Sequence, residues 1–297
     1  MSVQRIESLP SLPARPVDSN KGQFGHVLVL AGSRGMAGAA ALCGASAIRS
    51  GAGLVRVASA AEVQPTVASF EPSYMTYPLP QDDDGLIDFA RARPAIERLA
   101  SAATVIAAGP GLGRSDGTLG LVRWLLEASG KPLVLDADAL NVLAEGHVDL
   151  LAAGDQPVVI TPHPGEMARL IGGTVKDIQA ARVEQAATFA GRFNPLTVVL
   201  KGTGTVVTDG RRAYVNTTGN PGMATGGTGD CLTGVIAALI GQKLPAFEAA
   251  QLGVYIHGLA GDIAKDHNGV IGLIAGDLVD ALPDAFEHAS QDPDIGF

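Results

Sequence analysis

The sequence predicts an α/β fold of three layers, with helices on both faces of a mostly parallel sheet that has an antiparallel edge. Short β-branched runs recur along the first two thirds of the chain at intervals that leave room for helices, as expected of a covered parallel sheet. Hydrophobic residues make up 46% of the chain and aromatic residues only 4%, so the core must be mainly aliphatic. Such a composition suits buried parallel strands under alanine-rich helices.

The elements follow one another in a regular alternation. Strands are expected over residues 26–32, 54–59, 104–109, 132–137, 158–162 and 197–202. Helices are expected over residues 39–49, 88–99, 118–128, 177–192, 231–241, 246–265 and 276–282, and the helix over 177–192 would turn Ile178, Ala181, Gln185 and Phe189 inward. Asp209-Gly210 lies between two β-branched runs and favours a hairpin, because Asp-Gly supplies the positive φ angles of a tight turn.

No change of composition and no linker divides the chain. We therefore expect an irregular N-terminal arm over residues 1–20 and a single domain over residues 21–297. The chain shows no internal repeat that would indicate an array of small units.

Charge and cysteine usage exclude several classes of protein. A net charge of -9 disfavours binding to nucleic acid or to an anionic membrane surface. Cys43 and Cys231 lie in predicted apolar helices without metal-ligand spacing, which favours two buried, reduced thiols. No apolar run has the length of a signal peptide or of a membrane span, so a cytoplasmic location is expected.

The segment from Asn220 to Asp230 carries four glycines and leads directly into an apolar helix. Glycines leave backbone N–H groups free to face a ligand, and a helix N-terminus stabilises an anion such as phosphate. Asp230 would hold a carboxylate beside that site, where it could take a proton from an attacking hydroxyl. The alternative is an ordinary helix start, with Thr228 as the N-cap and Asp230 in the first turn.

Further polar loops follow the predicted strands, at residues 109–113, 136–141, 161–166 and 201–205. The carboxyl ends of parallel strands meet at one edge of a sheet, where open α/β folds bind their ligands. Lys201 could contact phosphate there, or it could be a surface lysine at a strand end. His163 could be an ordinary loop residue, and Asp136 or Asp138 could cap the following helix. The small residues of 31–40 would let a flat ring approach the backbone, or would serve close packing of helix on sheet.

Taken together, these motifs resemble those of a known family. The chain reads, in order, Lys21-Gly22, LAGSRGMAGAA, GPGLG, DADALN, TPHPGE, LKGTGT and NPGMATGGTGD, from Lys21 to about Pro283. This series resembles the ADP- or ATP-dependent NAD(P)H-hydrate dehydratases of the ribokinase-like superfamily. The resemblance implies a three-layer ribokinase-like fold and a hydro-lyase that restores hydrated NADH or NADPH at the expense of a nucleotide phosphoanhydride, giving AMP and phosphate when ADP is the donor.

The resemblance also implies roles for single residues. Asp230 would activate the ring hydroxyl, and Gly226, Gly227 and Gly229 would form the anion hole. The nucleotide would be bound by Lys201, Gly202, Thr203, Gly204, Thr205 and Gly229, and the hydrated dinucleotide by Ala39, Gly111, His163 and Asp230. Mg²⁺ is expected to bridge phosphate oxygens through water, with Asn141 and Glu166 as outer contacts.

Finally, the resemblance implies a homo-oligomer, for which we expect a tetramer, and a separate NAD(P)H-hydrate epimerase as functional partner, since the length leaves no room for an epimerase domain. Two other functions remain open from the sequence. One is a ribokinase-like kinase of a vitamin precursor such as hydroxyethylthiazole or hydroxymethylpyrimidine, and the other is a nucleotide sensor without catalysis.

Overall fold

A single ten-stranded sheet forms the centre of the computed structural model, which describes residues 3–12 and 14–291. The strands are β1 (Gln4–Arg5), β2 (His26–Leu30), β3 (Leu54–Ala60), β4 (Met75–Leu79), β5 (Val105–Ala108), β6 (Leu133–Leu135), β7 (Val158–Ile160), β8 (Leu196–Leu200), β9 (Val206–Thr208) and β10 (Arg212–Val215). Their order across the sheet is β1-β10-β9-β8-β7-β6-β5-β2-β3-β4. The strands from β8 to β4 in this order run parallel, and β9 is antiparallel to both of its neighbours.

Helices cover both faces of this sheet. They are α1 (Ala37–Arg49), α2 (Gln64–Phe70), α3 (Phe89–Ala102), α4 (Asp116–Ala128), α5 (Asp138–Ala144), α6 (Pro164–Ile171), α7 (Val175–Ala180), α8 (Arg182–Ala190), α9 (Thr228–Gly241), α10 (Ala246–Gly272) and α11 (Ala275–Gln291). Alternate residues of β2 point to opposite faces: Val27 and Val29 pack with α1 and α9, and Leu28 and Leu30 pack with α3 and α4. The predicted three-layer architecture is therefore confirmed, with α11 packed on the outside of α9 and α10.

The hairpin at Asp209-Gly210 is confirmed as the antiparallel pair β9–β10. Within the predicted N-terminal arm, Gln4–Arg5 adds a short edge strand parallel to β10. The two cysteines are free and buried, as expected. None of the helices described is both long and apolar enough to cross a membrane.

The single helix predicted over residues 177–192 is wrong. The chain forms two helices there, because Ala181 leaves the helical region with φ -144° and ψ 51°. Ile178 and Phe189 are buried as expected, whereas Ala181 and Gln185 are only partly buried. The break lets Arg182 begin α8 and donate to the carbonyl of Leu200, a contact between distant segments that local periodicity does not encode.

The order of the strands creates a switch point beside β2. From β2 the chain proceeds to β3 and β4 on one side, and from β5 it proceeds to β6, β7 and β8 on the other. Loops on either side of such a reversal diverge and leave a crevice at the carboxyl ends of the strands, which is where open α/β sheets bind ligands.

Candidate active site

The loops that follow β2, β5, β6, β7 and β8 lie side by side along one edge of the sheet. The first two are joined by the Gly32 N–H, which donates to Pro110 O at 2.9 Å. The next two are joined by the Gly113 N–H, which donates to Asp138 Oδ2 at 2.8 Å. The Lys201 N–H donates to Pro162 O at 2.9 Å and joins the last two loops. The structure thus brings the motif loops together as the sequence predicts.

Lys201 and Asp136 form an ion pair on the floor of this edge. Lys201 Nζ lies 2.6 Å from Asp136 Oδ1 and 3.9 Å from Glu166 Oε2. The Asp136 side chain is 1% exposed, and its other oxygen accepts a hydrogen bond from Thr233 Oγ1 at 2.9 Å. Burial disfavours the ammonium charge, but the two carboxylates outweigh it and hold the pKa of Lys201 above its ordinary value. Lys201 therefore stays charged and is no simple surface lysine.

The amino end of α9 rests on this ion pair. A Cβ on Gly229 would lie 3.3 Å from Lys201 Nζ and 3.7 Å from Asp136 Oδ2. Gly227 is the N-cap, with φ 93° in the left-handed region, and no side chain caps the helix. The N-cap role considered for Thr228 is therefore wrong, because its hydroxyl donates instead to Met223 O and Thr225 O. The first N–H groups of a helix have no intrahelical acceptor, so this end presents free donors to an anion.

Only glycine fits at position 227. A Cβ there would lie 2.5 Å from Leu42 Cδ1 and 3.0 Å from the Cβ of Ala275, on a backbone that side chains other than glycine rarely adopt. The neighbouring Gly226 is exposed, and a Cβ on it would meet no atom within 4 Å. The packing around Gly227 thus fixes the turn, and Gly226 faces the open side of the site.

Asp230 stands in the first turn of α9 with its carboxylate free. Among the residues the structure describes, no side chain or backbone group donates a hydrogen bond to it. Burial and the nearby charge of Asp136 raise the pKa of Asp230 to about 7, although the Lys201 ammonium opposes the shift. A partly buried carboxylate with a pKa near neutrality is suited to act as a general base.

His163 and Glu166 lie at the amino end of α6, and Glu166 lies beside Lys201. His163 Nδ1 accepts hydrogen bonds from the N–H groups of Gly165 at 2.9 Å and Glu166 at 3.3 Å, and Glu166 Oε2 accepts from the His163 N–H at 2.7 Å. Burial, with the charges of Lys201 and Arg169, lowers the pKa of His163. Its ring is therefore neutral; Nδ1 accepts both N–H groups, so the proton is on Nε2, and half of the side chain is exposed.

Glu166 is itself poorly solvated, with 6% of its side chain exposed. Burial, together with the charge of Asp136, raises the pKa of Glu166 to about 7 despite the Lys201 ammonium. Two acidic groups with raised pKa values, Asp230 and Glu166, therefore flank one lysine. Negative charge is already concentrated here, so an incoming phosphate requires compensation by cations and N–H donors.

Ala39 and Gly111 meet at the switch point between β2 and β5. A Cβ on Gly111 would lie 2.7 Å from the Cβ of Met36 and 3.1 Å from that of Ala39, and Gly111 has a φ of 59°. Its carbonyl accepts a hydrogen bond from Ser33 Oγ at 2.8 Å. The absence of a side chain keeps this crevice open, beside the half-exposed side chain of Met36.

The oxygen donors at this edge fit a Mg²⁺ ion that is held mainly by phosphate and water. Within residues 3–12 and 14–291, no three His, Cys, Asp or Glu side chains are grouped closely enough to hold a metal ion. Asn141 Oδ1 accepts from Arg169 Nη1 at 2.7 Å, and Glu166 Oε2 is taken up by the turn of α6. Since Mg²⁺ keeps several waters in nucleotide sites, contact through water suits both residues better than direct ligation.

The contacts that three residues of the site make were not predicted from the sequence. Asp136 pairs with Lys201, Thr233 holds Asp136, and His257 Nε2 lies 2.8 Å from the Thr228 carbonyl behind the turn. Thr233 has a signal that the sequence does offer, since it lies one helical turn after Gly229 on the same face of α9. For Asp136 the sequence gives only its place in a loop at the ligand-binding edge, and for His257 it gives no signal, because the partners of both come from distant parts of the chain.

Known proteins resemble this chain over most of its length. A family model described as NAD(P)H-hydrate dehydratase matches residues 27–284. The ADP-dependent (S)-NAD(P)H-hydrate dehydratase of Neisseria meningitidis serogroup B is 40% identical over 274 residues, which are 90% of this chain and 87% of that protein. The bifunctional NAD(P)H-hydrate repair enzyme Nnr of Moorella thermoacetica is 44% identical over 95% of this chain and 53% of that protein. The chain thus spans about half the length of the bifunctional relatives it matches.

Solved structures share the fold. A Bacillus subtilis ADP/ATP-dependent NAD(P)H-hydrate dehydratase, co-crystallized with ATP/Mg²⁺, superposes with a TM-score of 0.77 at 32% identity and covers 94% of each chain. Ribokinase-like proteins of known structure have the same architecture, so the predicted fold class is confirmed.

Proposed function

Because the chain belongs to the NAD(P)H-hydrate dehydratase family, we propose that it is an ADP-dependent (S)-NAD(P)H-hydrate dehydratase, a hydro-lyase of metabolite repair. The reaction would convert hydrated NADH or NADPH and ADP into NADH or NADPH, AMP and phosphate. One observation carries this proposal: the uncapped amino end of α9 places the free carboxylate of Asp230 next to the Lys201–Asp136 ion pair.

The first step is phosphoryl transfer. The ring hydroxyl oxygen attacks the terminal phosphorus of ADP, the bond from that phosphorus to the bridging oxygen breaks, and its electron pair leaves with AMP. Asp230 accepts the hydroxyl proton, for which a pKa of about 7 is well matched. The N–H groups that follow Gly227 and the Lys201 ammonium stabilise the charge on the phosphoryl oxygens.

The second step is elimination. Hydroxide is a poor leaving group, whereas phosphate leaves readily with the electron pair of the carbon–oxygen bond. The ring nitrogen donates its lone pair as that bond breaks, and loss of a proton from the neighbouring ring carbon restores the double bond. The enzyme thus uses a kinase-like site to make a leaving group.

The two substrates are assigned to two parts of the edge. We place ADP on Lys201, Gly202, Thr203, Gly204, Thr205 and Gly229, and the hydrated dinucleotide on Ala39, Gly111, His163 and Asp230. The contiguous row of loops supports this division, since Ala39 and Gly111 lie at the switch point and the 201–205 loop lies beyond β7. Mg²⁺, when bound, would neutralise phosphate oxygens, with Glu166 and Asn141 as outer contacts.

The proposal also includes a functional partner, an oligomeric state and a cellular location. Action on the (S) epimer alone leaves the other epimer unrepaired, so we propose a separate NAD(P)H-hydrate epimerase as functional partner. We further propose a homo-oligomer, with a tetramer as the expected state, acting in the cytoplasm. The buried, free thiols of Cys43 and Cys231 are compatible with a reducing compartment.

An absorbance assay tests the proposal. Purified protein, hydrated NADH, Mg²⁺ and either ADP or ATP are mixed, and recovery of the reduced nicotinamide absorbance is followed with AMP and phosphate release. Recovery that depends on ADP supports the dehydratase. A stable phosphorylated product from a thiazole or pyrimidine alcohol would point to a kinase, and nucleotide binding without turnover would point to a sensor. Light scattering measures the oligomeric state.

A further inference from the structure

Arg182 lies behind the 201–205 loop and holds it by the backbone. Its Nη2 donates to Leu200 O at 2.8 Å and to Lys201 O at 3.2 Å, and reaches Gly204 O at 3.5 Å. Its Nη1 donates to Gln179 Oε1 at 3.0 Å. A Cβ on Gly202 would lie 3.3 Å from Nη1, so the loop backbone rests directly on the guanidinium.

The charge of Arg182 has no counterion in the part of the chain that the structure describes. Its acceptors are carbonyl and amide oxygens only, its Nε is buried without a hydrogen-bond partner, and burial lowers its pKa. In contrast, Arg212 pairs with Asp209 at 2.8 Å and with Glu248 at 2.7 Å. A half-buried cation without a carboxylate is costly for the fold, and an anionic ligand nearby would offset that cost.

The contacts of Arg182 also determine where the N–H groups of the loop point. In a planar trans peptide the C=O and the N–H point in opposite directions. Since the carbonyls of Lys201 and Gly204 face the guanidinium, the N–H groups of Gly202 and Thr205 face away from it. The Gly202 N–H makes no hydrogen bond within the described residues, and the Thr205 N–H makes none either, although the turn at 203–204 brings it near Gly202 O, which accepts from the Thr205 hydroxyl.

We propose that Arg182 is a positioning residue of the nucleotide site, which turns the N–H groups of Gly202 and Thr205 toward ADP and supplies an unpaired positive charge behind them. This inference rests on the proposed function, which places ADP on the 201–205 loop. Lys201 is paired with Asp136 and lies 3.9 Å from Glu166, whereas Arg182 has no carboxylate partner among the described residues, so its charge is available to the diphosphate.

Two variants separate positioning from charge. Arg182→Lys keeps the charge but cannot reach three carbonyls, and Arg182→Met removes both. We expect the KM for ADP to rise about tenfold in Arg182→Met and less in Arg182→Lys, with kcat and the KM for hydrated NADH changed by no more than about twofold. Arg192→Met is the matched control, since Arg192 is an exposed cation beyond the other end of α8 that lies over the rings of Phe189 and Phe193.

Calorimetric titration with ADP alone measures the same effect without turnover. Unchanged ADP affinity in the folded variants overturns the inference. It is overturned equally if both KM values and kcat worsen in parallel with the melting temperature, which is the behaviour of a structural residue. Should Arg182→Met fail to fold, Arg182→Lys decides. A wild-type protein that binds ADP without restoring hydrated NADH refutes the proposed function while the titration still tests Arg182, and one that binds no ADP refutes both.

Discussion

Lys201 Nζ lies 2.6 Å from Asp136 Oδ1, in a pair that links residues 65 positions apart. The carboxylate is almost completely buried and is held on its other oxygen by Thr233. This pair therefore has two roles: it holds an ammonium group in place on the floor of the site, and it ties the loops after β6 and β8 to α9.

Removing the lysine tests both roles. Lys201→Met leaves the buried Asp136 charge unpaired, which should cost about 3–5 kcal/mol of unfolding free energy. Adding Asp136→Asn should recover most of that loss, since a neutral amide needs no counterion, but the KM for ADP should stay raised. Urea denaturation and steady-state kinetics of the single and double variants check this, and a double variant with normal ADP kinetics would contradict a nucleotide role for Lys201.

The pH dependence of turnover should report the general base. Because burial and Asp136 raise the pKa of Asp230 to about 7, kcat/KM should rise through about pH 7 as the base loses its proton. Asp136→Asn removes a negative charge and leaves the Lys201 ammonium, so the inflection should move to lower pH by about one unit. Glu166→Gln removes the other group with a pKa of about 7 and only a small contribution to the raised pKa of Asp230, so the inflection should remain and move down less than in Asp136→Asn if Asp230 governs it.

Asp230→Asn should abolish turnover and raise the melting temperature at alkaline pH. The folded-state pKa of about 7 lies above the ordinary 3.8, so between these values the folded protein holds a proton that the unfolded chain has lost. The wild type therefore loses stability as pH rises through this range, and the cost is largest above about pH 7. The variant should melt several degrees above wild type at about pH 8, with no such gain at about pH 4, and turnover should be lost. Equal melting temperatures at both pH values would contradict the raised pKa.

A methyl group on Gly229 should disturb the site without unfolding it. The new Cβ would meet the flexible end of Lys201 at 3.3 Å, while alanine in place of glycine favours a helix by about 0.5–1 kcal/mol. We expect Gly229→Ala to keep or raise the melting temperature and to raise the KM for ADP. Gly241→Ala, at the other end of α9, meets only ordinary contacts at 3.7 Å and is the matched control for both measurements.

His163 combines a capping role with a predicted substrate contact. His163→Ala removes the cap of α6 and should cost about 1 kcal/mol, whereas His163→Asn replaces one capping side chain with another and should cost little. The KM for hydrated NADH should rise in both variants. Thermal unfolding and steady-state kinetics of both variants separate the two roles. A normal KM for hydrated NADH in His163→Asn would show that His163 only caps α6.

The layered architecture, most of the strands and the convergence of the motif loops could be read from the sequence. These features depend on local patterns: β-branched runs predict strands, their alternation with helices predicts a parallel sheet, and parallel strands end at one edge. Gly227 was informative for the same reason, because its positive φ is a local demand that few other residues satisfy.

Contacts between distant segments could not be read in this way. The break at Ala181, the choice of Gly227 over Thr228 as N-cap, and the pairing of Asp136 with Lys201 all depend on groups that the fold brings together from far along the chain. The sequence places Asp230 at the start of a helix, but its pKa is raised by burial and by Asp136, which belong to the assembled sheet edge. Local conformational preference therefore accounts for the positions of the loops, and long-range packing and electrostatics account for the charge state and reach of the side chains they carry.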